Sequence, residues 1–102
     1  MKAAVLYEAR QPLKIEELKM PDVDDEDVLI KVASCGVCYT DLKVVEGRTR
    51  FTPPTVLGHE VAGTVEQVGS YCKDFKTGDR VIIGMRYKCG RCRYCLSARE
   101  NL

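Results

Sequence analysis

The amino-acid sequence predicts a mainly β protein, most simply a barrel of short strands with one short helix. Three observations support this fold class. Several short segments alternate apolar and polar residues, turn-forming Gly, Pro and Asp separate them, and one segment alone has apolar residues at helical spacing. The 102 residues suffice for one small domain, without internal repeat, low-complexity tract or linker.

Alternation near the start of the chain predicts the first two strands. Lys2–Glu8 alternates with Ala3, Val5 and Tyr7 on one side. After a proline break the apolar residues change parity, so the second strand is expected to bend near Glu16 and keep them facing inward. The apolar residues of this bent strand are Leu13, Ile15, Leu18 and Met20. Further strands are predicted over 28–36, 61–68 and 80–83.

One short helix is predicted from Thr40 to Glu46. Its spacing places Leu42 and Val45 on one face, and it should end at Gly47, a residue suited to the left-handed position after a helix. Cys38 then lies just before the helix N-terminus, where the backbone N–H groups favour a thiolate.

Charge and composition exclude several classes of protein. The 16 Lys and Arg nearly balance the 15 Asp and Glu, so electrostatic binding to nucleic acid is not indicated. No apolar run has the length of a membrane span, and the first residues lack the pattern of a signal peptide. We therefore expect a cytoplasmic protein without nucleic-acid or membrane partners. The acidic stretch 22–27 is interpreted as a solvated loop.

Six cysteines point to metal binding rather than to disulfides, because a cytoplasmic protein is kept in a reducing environment. Cys89, Cys92 and Cys95 form C-x2-C-x2-C, and Cys35 and Cys38 form a second C-x2-C. Three thiols within seven residues are typical of a metal site.

His59 is the one histidine of the chain. It follows Cys38 by 21 residues, and both lie beside glycines at the ends of predicted elements. A lone histidine is more often structural than a ligand. A thiolate and an imidazole nevertheless suit zinc, so convergence of these two side chains would form a metal site.

The ordered set of motifs resembles the zinc-dependent medium-chain alcohol dehydrogenase family. The motifs are Gly36-Val37-Cys38-Tyr39-Thr40-Asp41, Gly58-His59-Glu60-Val61-Ala62-Gly63, Gly78-Asp79-Arg80-Val81 and the Cys89, Cys92, Cys95 cluster. The resemblance implies a GroES-like, partly open β-barrel with short helices. It also implies a catalytic zinc and a protruding cysteine-rich lobe that holds a structural zinc.

The resemblance assigns zinc ligands residue by residue. Cys38 and His59 match catalytic zinc ligands, as expected for a family whose zinc is held by two cysteines and one histidine. Glu60 matches an adjacent carboxylate that ligates in some states or tunes the zinc. Cys89, Cys92 and Cys95 match three structural zinc ligands. The remaining ligands of both sites are expected after Leu102.

The resemblance also assigns roles around the catalytic zinc. Asp41 matches the carboxylate that orients the ligand imidazole, although an acid in a first helical turn is an alternative. Thr40 matches the hydroxyl that relays the substrate proton, although a helix cap is equally compatible. Tyr39 stands where a basic residue often contacts cofactor phosphate. Lys43 stands where many members place a relay histidine, which leaves the outer proton path open.

The implied reaction interconverts an alcohol and an aldehyde or ketone. Zinc favours loss of the alcohol proton, and hydride passes between the alkoxide and NAD or NADP. The sequence lacks G-x-G-x-x-G, so a nucleotide-binding domain is absent from it. We therefore interpret residues 1–102 as an incomplete N-terminal domain with a partial structural-zinc lobe at 87–102. The segment alone is expected to be inactive, and the intact enzyme a homo-oligomer.

Other classes of protein remain as alternatives. A zinc-binding or redox module could join Cys35 and Cys38 with Cys89 and Cys92 in one four-cysteine knuckle. A thioredoxin-like role lacks the surrounding βαβ pattern, and an iron–sulfur site lacks its fourth thiol because Arg99 occupies that position. A co-chaperonin would share the barrel but needs no metal ligands.

Overall fold

The strands of this chain form two antiparallel sheets of three strands each in a computed structural model, which describes residues 1–86 and 88–101. The elements, in chain order, are β1 (Lys2–Leu6), β2 (Lys14–Glu17), β3 (Val28–Gly36), α1 (Tyr39–Val45), β4 (Thr55–Val56), β5 (Glu60–Val68), β6 (Arg80–Ile82) and α2 (Arg93–Leu96). One sheet has the order β2-β1-β4 and the other β3-β5-β6.

The mainly β class is confirmed, with helices of only seven and four residues in the described part of the chain. No strand pairing joins the two sheets within 1–86 and 88–101, so they are not closed into a barrel. Neither helix described is long and apolar enough to cross a membrane.

The long pairing of β3 with β5 determines where the motif residues lie. Gly36, the last residue of β3, is the partner of Glu60, the first residue of β5. Irregularities interrupt the register at Leu29/Ile30 and again at Val32/Ser34. α1 begins soon after β3 ends. The residues before α1 and those before β5 therefore meet at one end of the β3–β5 strand pair.

The helix agrees closely with its prediction. It begins at Tyr39 rather than Thr40 and is followed by Gly47 with φ of +72°, which confirms the left-handed residue after the helix. The strands over 28–36, 61–68 and 80–83 are confirmed to within one residue at each end. The prediction missed β4 and α2, which have two and four residues.

The predictions for the first two strands were partly wrong. Val5 and Leu6 are buried, whereas Tyr7 lies beyond β1, is exposed and donates a hydrogen bond from its hydroxyl to Glu16. The second strand ends at Glu17 and does not bend through to residue 20. Ile15 lies on β2, an edge strand of its sheet in the described residues, and is 66% exposed. Leu13 and Met20 are exposed as well.

The chain exposes more surface than a self-contained domain of its mass. Its accessible surface is 8318 Å², whereas a compact protein of 11.4 kDa exposes about 5,800 Å². Among the described residues, the buried large apolar side chains are Val5, Leu6 and Val65. Large apolar side chains such as Ile82 and Val37 are more than four-fifths exposed.

Candidate metal centre

Cys38 lies between the end of β3 and the first residue of α1. Its backbone is extended, with φ −94° and ψ 156°, and it is the N-cap residue of the helix. Its N–H donates to the Asp41 carboxylate at 2.9 Å, which fixes the turn from strand to helix. The prediction that Cys38 precedes the helix is confirmed.

His59 directly precedes β5 and follows Gly58, whose φ of +120° favours glycine. The Gly36–Glu60 pairing brings this end of β5 beside the end of β3. The His59 side chain is 25% exposed, so it is largely shielded without being sealed from solvent.

The structure brings three predicted ligands together at this end of the β3–β5 strand pair. One ligand atom each from Cys38, His59 and Glu60 lies within 4.8 Å of the other two. Cys38 and His59 are half-buried, and Glu60 is exposed. A thiolate, an imidazole and a carboxylate form a donor set that suits zinc.

Asp41 holds the imidazole in one orientation. Its Oδ1 lies 3.3 Å from Nδ1 of His59, and a carboxylate can only accept, so Nδ1 carries the proton. Nε2 is then the ring nitrogen whose lone pair is available to a metal. Asp41 also lies in the first turn of α1, the position that the alternative interpretation gave it.

Thr40 lies on the ligand side of the same ring. Its Oγ1 is 3.1 Å from Nε2 of His59, within hydrogen-bond distance, and the direction of this bond follows the protonation of that nitrogen. Thr40 is the second residue of the helix, and the N-cap is Cys38, so the interpretation of Thr40 as the helix cap is wrong.

The ligands influence each other's protonation in the absence of metal. Hydrogen bonds from Thr40, side chain first and then backbone, lower the pKa of the Cys38 thiol, and His59 lowers it further. The hydrogen bond with Cys38 is the main cause that raises the pKa of His59, with a smaller contribution from the Asp41 charge. Both directions favour a thiolate beside an imidazolium.

Tyr39 lies next to two cations. Its hydroxyl accepts a hydrogen bond from the Arg48 guanidinium at 3.2 Å, and the Lys43 ammonium lies 5.1 Å from the ring centroid. The Tyr39 side chain is exposed. Sequence reasoning missed Arg48, because it lies beyond Gly47 in a loop without periodicity.

Cys89, Cys92 and Cys95 form a second group of ligand atoms within 4.8 Å of one another. Cys92 is the N-cap of α2 and its sulfur accepts from the Cys95 N–H at 3.5 Å, which draws two of the thiols together. The Cys95 sulfur lies 3.6 Å from that of Cys92 and 3.8 Å from that of Cys89.

In this second group the pKa values of Cys89 and Cys95 are shifted in opposite directions. Hydrogen bonds from the backbone N–H groups of Arg91 and Cys92 lower the pKa of Cys89 to about 7. The hydrogen bond with the Cys92 side chain raises the pKa of Cys95. The predicted lobe at 87–102 includes Tyr87 and Leu102, which lie outside the described residues.

The four-cysteine knuckle is not formed. The two groups of ligand atoms found in the described residues are separate, and neither contains Cys35. The elements around Cys35 and Cys38 are β3 and α1 followed by the two-residue β4, which pairs with β1 in the other sheet. This arrangement differs from the βαβ unit of a thioredoxin-like site.

Comparison with known proteins gives the family. The alcohol dehydrogenase GroES-like domain family matches residues 24–102. An alcohol dehydrogenase of Geobacillus stearothermophilus is 42% identical over 105 residues, which cover 100% of this chain and 31% of that protein. This chain therefore spans less than a third of the length of that relative.

Solved structures agree with the sequence relatives. The alcohol dehydrogenase TADH from Thermus sp. ATN1 has a TM-score of 0.90 at 33% identity, over 99% of this chain and 29% of that one. The zinc dependent alcohol dehydrogenase 2 from Streptococcus pneumonia has a TM-score of 0.86 at 31% identity, over 95% of this chain and 28% of that one. The motifs, the fold and the relatives agree, and the chain belongs to the alcohol dehydrogenase GroES-like domain family, among the zinc-dependent medium-chain alcohol dehydrogenases.

Proposed function

We propose that this chain is the metal-binding catalytic segment of a zinc-dependent oxidoreductase that interconverts an alcohol and an aldehyde or ketone with NAD or NADP. The observation that carries the proposal is the convergence of Cys38, His59 and Glu60 from two different elements. Side chains 21 residues apart in sequence meet with their ligand atoms within 4.8 Å of each other.

The residues present fit a catalytic zinc. Cys38 and His59 supply a thiolate sulfur and an imidazole nitrogen, and Asp41 leaves Nε2 of His59 free to ligate. The zinc ion would supply Lewis acidity that lowers the pKa of a bound alcohol. The Streptococcus relative is named as zinc dependent, which supports this choice of metal.

Thr40 is the residue that moves the substrate proton. Its hydroxyl lies 3.1 Å from Nε2 of His59, on the side where the metal and the substrate oxygen would lie. A hydroxyl can accept the proton of the alcohol and donate its own to water or to a further group. Lys43, which stands where many members of the family place a relay histidine, directs its ammonium at the Tyr39 ring instead.

Cys89, Cys92 and Cys95 would hold a second, structural zinc. Their mutual distances suit ligands of one ion, and the Lys88–Glu100 ion pair at 3.0 Å joins the two ends of the segment that carries them. Structural sites are normally closed by four protein ligands, so a further ligand is expected outside this chain.

We place this chain in a longer protein that contains a nucleotide-binding domain. The Geobacillus relative is about three times as long, and the exposed surface of this chain exceeds that of a compact domain of equal mass. Tyr39, with Arg48 and Lys43 beside it, is the proposed contact for a cofactor phosphate. The chain alone would therefore be inactive.

The same proposal includes the compartment, the size of the substrate and the oligomeric state of the enzyme. Six free cysteines suit the reducing cytoplasm, and the substrate is a small molecule rather than a macromolecule. We also propose that the intact enzyme is a homo-oligomer, which size-exclusion chromatography with light scattering would measure directly.

Activity of the longer protein tests the function. With NAD or NADP it should oxidise primary or secondary alcohols, and Cys38→Ala and His59→Ala should each abolish turnover. Cys72→Ala is the matched control, because this thiol lies in neither group of ligand atoms. Full activity of both variants would contradict the proposal, as would alcohol oxidation without either nucleotide.

A further inference from the structure

Gly36 and Glu60 face each other across the pair of strands that forms the metal site. They are register partners at the end of β3 and the start of β5. If residue 36 carried a Cβ atom, that atom would lie 3.1 Å from Cβ and 3.3 Å from Cδ of Glu60, and it would overlap Oε2. The Glu60 side chain thus lies directly over the Gly36 α-carbon.

The glycine is needed for space and not for backbone conformation. Gly36 is not one of the glycines with positive φ, so an L-residue could adopt its backbone without strain. The position that Glu60 occupies over Gly36 is also the one from which its carboxylate reaches Cys38 and His59.

We propose that Gly36 is a positioning residue for the metal centre, because its missing side chain admits the Glu60 carboxylate to the group of ligand atoms. This inference rests on the proposed function, in which Cys38, His59 and Glu60 bind one metal ion. A larger residue at position 36 would displace the carboxylate and remove one of the three donors.

The cost of that change should fall on the metal site and not on the fold. The atom overlapped by a Cβ at Gly36 is the far end of a flexible side chain, which can rotate away. At Gly63, by contrast, a Cβ would overlap the backbone carbonyl oxygen of Lys31, which cannot move without disturbing the β3–β5 pairing.

A double-mutant cycle tests the inference. Cobalt(II) affinity is measured by absorption in the chain carrying Cys89→Ser, Cys92→Ser and Cys95→Ser, so that the second group of thiols does not contribute. Gly36→Ala and Glu60→Ala should each weaken binding by roughly tenfold to a hundredfold. The double variant should bind no more weakly than Glu60→Ala alone, because the alanine at 36 then has no carboxylate to displace.

Gly84→Ala is the matched control. A Cβ at Gly84 would meet no atom within 4 Å, so cobalt affinity should be unchanged. Thermal unfolding of every variant accompanies the titrations. If Gly36→Ala does not fold, the double variant decides, since removal of Glu60 should restore folding; a double variant that also fails to fold would overturn the inference.

Failure of the inference differs from failure of the proposed function. Wild-type affinity in Gly36→Ala, or independent losses that add in the double variant, would overturn the positioning role while Cys38→Ala still loses the metal. Unchanged cobalt binding in Cys38→Ala would instead contradict the proposed metal centre itself.

Discussion

Oδ1 of Asp41 lies 3.3 Å from Nδ1 of His59. The other oxygen of the same carboxylate accepts the backbone N–H of Cys38 at 2.9 Å. One side chain from α1 thus connects two candidate ligands that come from different elements. The Asp41 side chain is only 14% exposed, so solvent screens these contacts less than it would at the surface.

Asp41→Asn should weaken metal binding by roughly tenfold to a hundredfold, because the amide retains the size of the side chain but loses its charge and can turn a donor toward the ring. Zinc affinity measured by competition with a chromogenic chelator checks this. Asp22→Asn is the control, since Asp22 pairs with Lys19 in an exposed loop. Equal affinities of the two variants would show that Asp41 does not orient His59.

Thr40→Ala should reduce the turnover number of the longer enzyme by roughly 10² to 10⁴ while KM changes little, because a positioned proton-transfer group acts in the transition state. Thr40→Ser keeps the hydroxyl and should retain most activity. Steady-state kinetics separates the two parameters. A loss that appears only in KM would assign Thr40 to substrate binding instead.

Cys89 should be more reactive than Cys95 in the metal-free protein. Its pKa is lowered to about 7, so the reactive thiolate is populated as the pH rises through that value, whereas the raised pKa of Cys95 keeps its thiol protonated. Iodoacetamide at neutral pH should modify Cys89 at least about tenfold faster than Cys95. Peptide mass spectrometry measures both rates.

Zinc supplies the control for this reactivity. Metal held by the three thiolates of the group should protect them together, while the exposed Cys35 continues to react. Equal rates at Cys89 and Cys95 without metal would contradict the predicted difference in protonation.

Gly63→Ala should destabilise the fold by about 1 to 3 kcal/mol, as overpacking of a buried site does. Gly63 is buried, and a Cβ there would lie 2.7 Å from a methyl carbon of Ile30 as well as against the backbone of β3. Urea unfolding measures the loss, with Gly84→Ala as the neutral comparison. Equal midpoints for the two variants would contradict this packing.

Local sequence signals were enough to predict much of the site. Residues close in sequence determine three of its features. These are the helix that starts after Cys38, the end of that helix before Gly47 and the strand that follows His59. The convergence of Cys38 with His59 was a hypothesis from their spacing, and the β3–β5 register supplies its structural basis.

Features that depend on distant contacts could not be predicted. The two residues of β4 and the four of α2 are too few to show a period. Exposure of Ile15 depends on what packs over an edge strand, and the Gly36–Glu60 contact depends on a register that shifts at Val32/Ser34. The Arg48–Tyr39 hydrogen bond depends on the path of a loop.

Metal content of this chain and its variants tests the central claim most directly. The chain loaded with zinc and freed of excess should hold about two ions, one in each group of ligand atoms. Elemental analysis should find about one ion after Cys38→Ala and about one after Cys92→Ala, with the remaining ion retained in each case. Loss of all zinc in either single variant would contradict the account, because it would mean that the thiols of both groups bind one common metal.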